Sequence, residues 1–207
     1  MGQAAASAFV SLVDYFETEV ARADDAPRRE WFDGVVYAMS RGTPEHGLLT
    51  SSITIALGNA MPADCRLYSG DTMLFIERAQ LCTYADLSVV CGERETFTVR
   101  KNGRSLGQAV TNPAIIVEAL SEATERRGER CRDGKFQAYK QLASLREYRH
   151  RALSQATTWS AREMALVQHA LAAPLTRGAP TRPSSGEASS SARPTSGSRS
   201  VRRVRRR

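Results

Sequence analysis

Tyr84-Ala85-Asp86-Leu87-Ser88-Val89-Val90-Cys91 and Asn112-Pro113-Ala114-Ile115-Ile116-Val117-Glu118-Ala119-Leu120-Ser121 are the two runs on which the fold turns. Both are short, rich in β-branched residues and bounded by turn-forming residues, which is the signature of strands in a buried sheet. Each carries one carboxylate. An ionised carboxylate in such a sheet costs on the order of several kcal/mol unless a cation meets it. Two readings follow from residue type alone. A divalent metal could sit between Asp86 and Glu118; or Asp86 caps its strand while Glu118 pairs with an arginine.

Working outward, Phe9, Val10, Leu12, Val13, Phe16 and Val20 recur at helical spacing, with Asp14, Glu17 and Glu19 on other faces. Residues 30–39 read as two strands around Asp33-Gly34, a common short hairpin signal. Gly42-Thr43-Pro44 leads into a helix near residues 45–60, whose buried face is Leu49, Ile53, Ala56, Leu57 and Ala60. Strands are predicted at about Arg66–Ser69 and Thr72–Glu77, then through the Asp86 run. Asn102-Gly103 folds residues 97–110 into a hairpin, which removes an otherwise long loop. After the Glu118 strand come a charged segment, Glu122–Arg132, and a third helix with Phe136, Tyr139 and Leu142 on one side. The pattern predicts an α/β domain over residues 8–148, with a mixed β-sheet flanked by α-helices.

The net charge of +7 is unevenly spread over the 207 residues. Residues 1–148 hold 17 Lys+Arg against 20 Asp+Glu, whereas residues 149–207 hold 12 Arg against 2 Glu. The predicted domain is thus mildly acidic, and the basicity belongs to the end of the chain. Residues 149–207 are rich in Arg, Ser and Pro, and over 174–200 large apolar side chains are nearly absent, so this part is expected to be a disordered tail. Its last residues, 201–207, form a basic run that would attract phosphates, or simply be solvated. Cys65, Cys82, Cys91 and Cys131 show no Cys-x-x-Cys spacing, and Cys91 reads as a buried free thiol, which fits a reducing cytoplasmic setting. No basic region precedes Ala4–Val13 and no apolar run is long enough to span a bilayer, so neither a signal peptide nor a membrane partner is expected.

Several short pieces, in order, carry a resemblance. They are Glu30-Trp31-Phe32-Asp33-Gly34 before a strand, Thr43-Pro44-Glu45-His46 opening a helix, and Gly70-Asp71 ahead of another strand. Tyr84-Ala85-Asp86 with Val89-Val90-Cys91 follows, then Asn112-Pro113 with Ile116-Val117-Glu118 and Ser121. Lys135-Phe136 with Tyr139 and Ser144-Leu145-Arg146-Glu147-Tyr148 complete the set. Residues 8–148 thereby resemble the Uma-two family of restriction-endonuclease-like proteins, a branch of the PD-(D/E)XK nuclease superfamily.

The resemblance implies a restriction-endonuclease-like fold and a metal-dependent endonuclease that hydrolyses the phosphodiester bonds of DNA with Mg²⁺ or Mn²⁺. Asp86 matches the Asp of the "PD" element and Glu118 the second acidic residue. The superfamily's lysine position, two residues after that Glu, is Leu120 here. The lysine of the following helix, Lys135, takes the catalytic role beside Asp86 and Glu118. Glu30 would be a further metal-shell carboxylate, while Asp71 and His46 match family positions without an assigned role. DNA is the implied partner, a homodimer is compatible with the resemblance, and the implied location is cytoplasmic. The alternative is a catalytically inactive or truncated nuclease-fold protein that binds nucleic acid or a partner. Departures are Ala85 in place of the usual Pro, Val35 after the Asp-Gly turn, and a longer segment before Lys135. Beyond Tyr148 the family's apolar strand gives way to Arg149-His150-Arg151, as a frame change or replaced gene end would produce. Loss of the family's last strands would leave a sheet edge uncovered.

Overall fold

The computed structural model describes residues 9–23, 26–39, 42–120, 134–152 and 161–172. The charged run Glu122–Arg132, Cys131 and the expected tail beyond residue 172 lie outside the described residues.

The elements, in chain order, are α1 (Leu12–Val20), β1 (Arg29–Phe32), β2 (Val35–Ala38), α2 (Pro44–Ala60), β3 (Cys65–Ser69) and β4 (Met73–Ile76). Then follow β5 (Leu81–Tyr84), β6 (Leu87–Cys91), β7 (Thr96–Lys101), β8 (Arg104–Val110) and β9 (Ile115–Leu120). A short helix over residues 134–139, α3, precedes β10 (Glu147–Ala152) and α4 (Ala161–Ala172). The strands form two mixed sheets rather than one. A six-stranded sheet has the order β2-β1-β5-β4-β8-β7, and a four-stranded sheet the order β10-β9-β6-β3. Each is antiparallel except for one parallel pair, β4 with β8 in the first and β9 with β10 in the second.

The fold is the expected mixed α/β architecture with helices on the sheets, but the decisive run is not one strand. Tyr84 ends β5 in the larger sheet, and Leu87 begins β6 in the smaller one. Ala85-Asp86 is the step between them. Periodicity cannot reveal such a step, because both strands are buried throughout and no polar alternation marks the change of sheet. The loops Gly70-Asp71-Thr72 and Thr111-Asn112-Pro113 make the same kind of passage, from β3 to β4 and from β8 to β9.

Three apolar clusters hold the layers together. Leu49, Ile53 and Leu57 of α2, with Val167 and Leu171 of α4, cover one face of the smaller sheet at Val89, Ile115 and Val117. Its other face, with Val90 and Ile116, packs on Leu74, Ile76 and Leu81 of the larger sheet and on Ala138 and Tyr139 of α3. Tyr15 and Phe16 of α1 then cover the far side of the larger sheet at Trp31, Phe75, Cys82 and Val99. Each fully buried Ile, Leu or Phe side chain contributes about 1.5–3 kcal/mol through removal from water.

Local signals explain the turns and caps. Asp33 and Gly34 both have positive φ, 44° and 88°, as do Asn102 and Gly103 at 50° and 76°, the mirror-image turns that match strand twist in two-residue hairpins. Ser11 caps α1 by accepting from Asp14 N at 3.1 Å, so the helix starts after Phe9. Phe9 and Val20 are exposed, which corrects the wider apolar face expected for that helix.

Two further expectations change. Cys65 and Cys91 are direct cross-strand partners of β3 and β6 and are joined by a disulfide, so Cys91 is not a free thiol. Spacing concealed the pair because 26 residues and a second sheet separate the two in sequence. Cys82 is the free cysteine among the described residues, and burial pushes its thiol far up from the ordinary value. The chain also keeps its order past Tyr148. β10 runs to Ala152 in unbroken parallel register with β9, and α4 lies beyond it. Backbone pairing with the edge of β9 supplies what the polar sequence of β10 does not advertise.

Candidate metal and phosphodiester site

β6 and β9 are antiparallel, with Leu87 opposite Val117 and Ser88 opposite Ile116. One more step of that register sets Asp86 opposite Glu118, on the same sheet face. Opposed positions on neighbouring strands lie about 4.5–5.5 Å apart at Cβ, so two carboxylates meet where β6 begins. Asp86 Oδ2 accepts from Ala119 N at 2.6 Å, fixing the carboxylate across the strand gap. Its other oxygen, Oδ1, lies 3.0 Å from His46 Nε2. The histidine is brought there by the first turn of α2, where Thr43 Oγ1 accepts from His46 N at 3.3 Å.

α3 supplies the opposite wall. Lys135 and Tyr139 are four residues apart and so share a helix face. Lys135 Nζ lies 2.6 Å from Glu30 Oε1 and 3.2 Å from Glu118 Oε1. Tyr139 donates its hydroxyl to Glu118 Oε1 at 2.7 Å. Glu30 comes from β1, where the pairing of Trp31 with Cys82 sets it beside Thr83 of β5. The Thr83 hydroxyl donates to the same Glu30 oxygen that meets Lys135.

Burial and charge act together here. Burial raises the pKa of Glu118; Lys135 opposes that shift and Asp86 adds to it. Burial alone would lower the pKa of Lys135, but Glu118, together with Tyr139 and Glu30, carries it well above the usual lysine value. Lys135 is therefore an ammonium at neutral pH. It can hold and neutralise an anion. The Asp86 hydrogen bond raises His46, against the effect of its partial burial. Burial and then the Glu118 charge push the Tyr139 hydroxyl well up, so it stays a donor.

Of the residues singled out in the sequence, Glu118, Lys135 and Glu30 meet directly, and Asp86 joins them through its place opposite Glu118. Glu30 is engaged by Lys135 and Thr83. Asp71 is exposed at the rim of the cleft beside Asp86, paired with Arg28, which also donates to Gly70 O at 2.9 Å. A cleft of about 410 Å³ beside Asp86 is lined by Arg28, His46, Thr50, Ser69 and Asp71 among others. Tyr139 and Thr83 were not recognised from sequence as site groups. The Lys135/Tyr139 spacing was the available signal for the first, and nothing local marked the second.

The donor set can be tested against a divalent ion. Among the described residues no three His, Cys, Asp or Glu side chains converge to hold a metal. The described residues alone thus make no all-protein cage, the arrangement suited to structural zinc or tight calcium. Two neighbouring carboxylates are the donor set Mg²⁺ commonly uses, with water and phosphate oxygens completing its octahedron. Asp86 and Glu118 fit that description.

The profile of the Uma2 family, described as "putative restriction endonuclease", matches residues 12–150 of the 207. An uncharacterised protein of Synechocystis sp. is 31% identical over 122 residues, covering 58% of each chain. The chain thus spans little more than half the length of that relative. A crystal structure of a putative nuclease belonging to DUF820 from Anabaena variabilis is similar with a TM-score of 0.44 and 14% identity, over 60% of this chain and 67% of that one. Because the matched residues include β1, the Asp86 step, β9, α3 and most of β10, this chain belongs to the Uma2 family.

Proposed function

We propose that the chain is a divalent-metal-dependent endonuclease acting on DNA, with Mg²⁺ or Mn²⁺ held by Asp86 and Glu118. The observation that carries this reading is the β6–β9 register, which one step beyond Leu87 and Val117 sets Asp86 opposite Glu118, with the Lys135 ammonium 3.2 Å from Glu118. A buried carboxylate is unfavourable without a cation, and burial raises Glu118, with Asp86 adding to the shift. Bound there, the ion would neutralise charge on the phosphate and make a coordinated water more acidic.

The chain's own groups do the rest. Ala119 N and His46 hold the two Asp86 oxygens, and Tyr139 holds Glu118, so both carboxylates are oriented before substrate arrives. Lys135, anchored on Glu30, presents fixed positive charge to an anion at the site. In this reading its role is electrostatic. Glu30 holds Lys135 in this reading rather than completing the metal shell.

DNA as substrate would place the protein in the cytoplasm, where a disulfide such as Cys65–Cys91 is uncommon. Cell fractionation, with thiols trapped at lysis, tests both points. No helix among the described residues is long and apolar enough to cross a membrane. A homodimer would offer one site to each strand of a duplex, which light scattering of the purified protein would reveal.

The deciding experiment is incubation of supercoiled plasmid with purified protein and Mg²⁺ or Mn²⁺. Nicking or linearisation that chelator stops, and that Asp86→Ala abolishes, is the expected result. DNA binding without cleavage under any divalent ion would assign the chain instead to the non-catalytic binding class.

A further inference from the structure

An exposed ion pair stands at the rim of the cleft beside Asp86. Arg28, just ahead of β1, meets Asp71 of the loop between β3 and β4, and the two side chains are 39% and 75% exposed. The same guanidinium is fixed from two other sides. Its Nη1 donates to Gly70 O at 2.9 Å, and its Cζ lies 5.6 Å from the centre of the Tyr84 ring. Gly70 in turn rests on the site. A Cβ added there would fall 3.4 Å from Ala85 O and 3.6 Å from Asp86 Cα. Arg28 therefore hangs from a loop that lies against the Ala85-Asp86 step, and it lines the same cleft as Asp86 and His46.

Charge gives this position its interest. Residues 1–148 hold 17 basic against 20 acidic side chains, so attraction for a polyanion must come from particular groups rather than from an overall field. Among the described residues that line the cleft, Arg28 is the only lysine or arginine. A guanidinium has five N–H groups in a fork that fits phosphate as it fits carboxylate. Of its partners, Asp71 is the exchangeable one. It stands mostly in water, where an ion pair adds little to stability. Gly70 O and the Tyr84 ring keep the guanidinium in place when Asp71 swings away.

We propose that Arg28 is a substrate-positioning residue that holds a backbone phosphate of DNA lying in the cleft, and that Asp71 occupies the place of that phosphate until DNA displaces it. This deepens the metal-nuclease reading above and rests on it. The guanidinium is paired before and after the exchange, so no unsatisfied donor is required in the free protein. One anion leaves for water, and another takes its position.

Binding of a duplex oligonucleotide to the full chain in Ca²⁺, at several salt concentrations, tests the exchange. Arg28→Gln should weaken binding about tenfold, the loss of a hydrogen bond to a charged group. It should also flatten the dependence of log affinity on log salt by about 0.9, which is one phosphate contact. Arg28→Lys should keep the salt dependence and recover part of the affinity. Asp71→Asn should tighten binding by about threefold, because DNA no longer competes with an exposed ion pair. A merely structural pair, or a damaged fold, would not give that gain. In the Arg28→Gln background, Asp71→Asn should gain nothing. Wild-type affinity in Arg28→Gln or in Asp71→Asn would overturn the proposal. So would an equal or larger gain from Asp71→Asn in the Arg28→Gln background, which would reduce Asp71 to general repulsion of DNA. Any of these results with metal-dependent plasmid cleavage by the wild type intact sinks the exchange alone. Wild-type protein that neither binds nor cleaves DNA sinks the metal-nuclease reading and this inference with it.

Discussion

Two buried carboxylates in this molecule behave oppositely. Glu19 of α1 is nearly inaccessible, yet it meets Arg29 at 3.0 Å and Arg22 at 3.2 Å and accepts from Tyr84 at 3.3 Å. Positive charge exceeds negative around it, and the cluster is complete without a ligand. Glu118 shares one ammonium with Glu30 and faces Asp86, which His46 meets. Among the described residues, Lys135 is the lysine or arginine that ion-pairs with Glu30 or Glu118. Burial alone does not mark a site; burial with an uncompensated negative charge does. The Glu19 cluster ties α1 to β1 and β5, whereas the Glu118 cluster is the one proposed above to take a cation.

The contrast can be broken first by activity. Lys135→Ala should lower cleavage by roughly 10²–10³-fold, as loss of one preorganised electrostatic group does. Glu19→Gln should leave cleavage per folded molecule within about twofold, measured on the same plasmid with folded fraction checked by circular dichroism, because about 0.4 kcal/mol corresponds to such a factor. Equal losses in both variants would erase the distinction between the clusters.

Stability should show the reverse order. Glu19→Ala leaves two guanidiniums facing each other without their carboxylate, and should destabilise by about 2–4 kcal/mol in urea denaturation. That is slightly below the usual range for breaking a buried pair, because both arginines reach water. Glu118→Gln should destabilise far less in the absence of metal, since it removes a charge the site holds at a cost.

Metal should sharpen the difference further. At Mg²⁺ about tenfold above its dissociation constant, wild-type protein should gain roughly 1.4 kcal/mol. The Glu19→Gln variant should gain the same, and Glu118→Gln or Asp86→Asn little or nothing. A melting temperature indifferent to millimolar Mg²⁺ in every form would count against Asp86 and Glu118 as ligands.

The smallest effect is in pH. A carboxyl with a raised folded-state pKa binds its proton more tightly folded than unfolded. Its contribution to stability is greatest below the ordinary carboxylate range and falls as pH rises through the raised value. His46 has the same sign, being raised by Asp86, but its contribution is lost at higher pH, above the ordinary histidine range. Without metal, Glu118→Gln should therefore flatten the first decline and His46→Gln the second. Denaturant melts at half-unit pH steps would separate them.

Much of this was legible along the chain. Asp33-Gly34 and Asn102-Gly103 announced their hairpins because two-residue turns need residues that tolerate positive φ. Leu49, Ile53 and Leu57 announced the buried face of α2 because helical periodicity is local. What was illegible depends on partners far away in sequence. The Cys65–Cys91 bond and the change of sheet at Ala85-Asp86 join segments that no local pattern links, whereas Glu30 and Lys135 were brought to one site by the family resemblance. β10 was read as the end of order because its side chains are polar, yet an edge strand needs only a neighbour's free backbone groups to pair.

By itself the sequence determined the element types and placed one carboxylate in each of two buried runs, since propensity, turn chemistry and hydrophobic period are properties of neighbouring residues. Only the tertiary structure decided that β6 and β9 are adjacent and in the register that opposes Asp86 to Glu118, and that α3 sets Lys135 over them. Those are matters of strand order and layer packing. A shift of one residue in the β6–β9 register would carry one carboxylate to the opposite face of the sheet and leave no site.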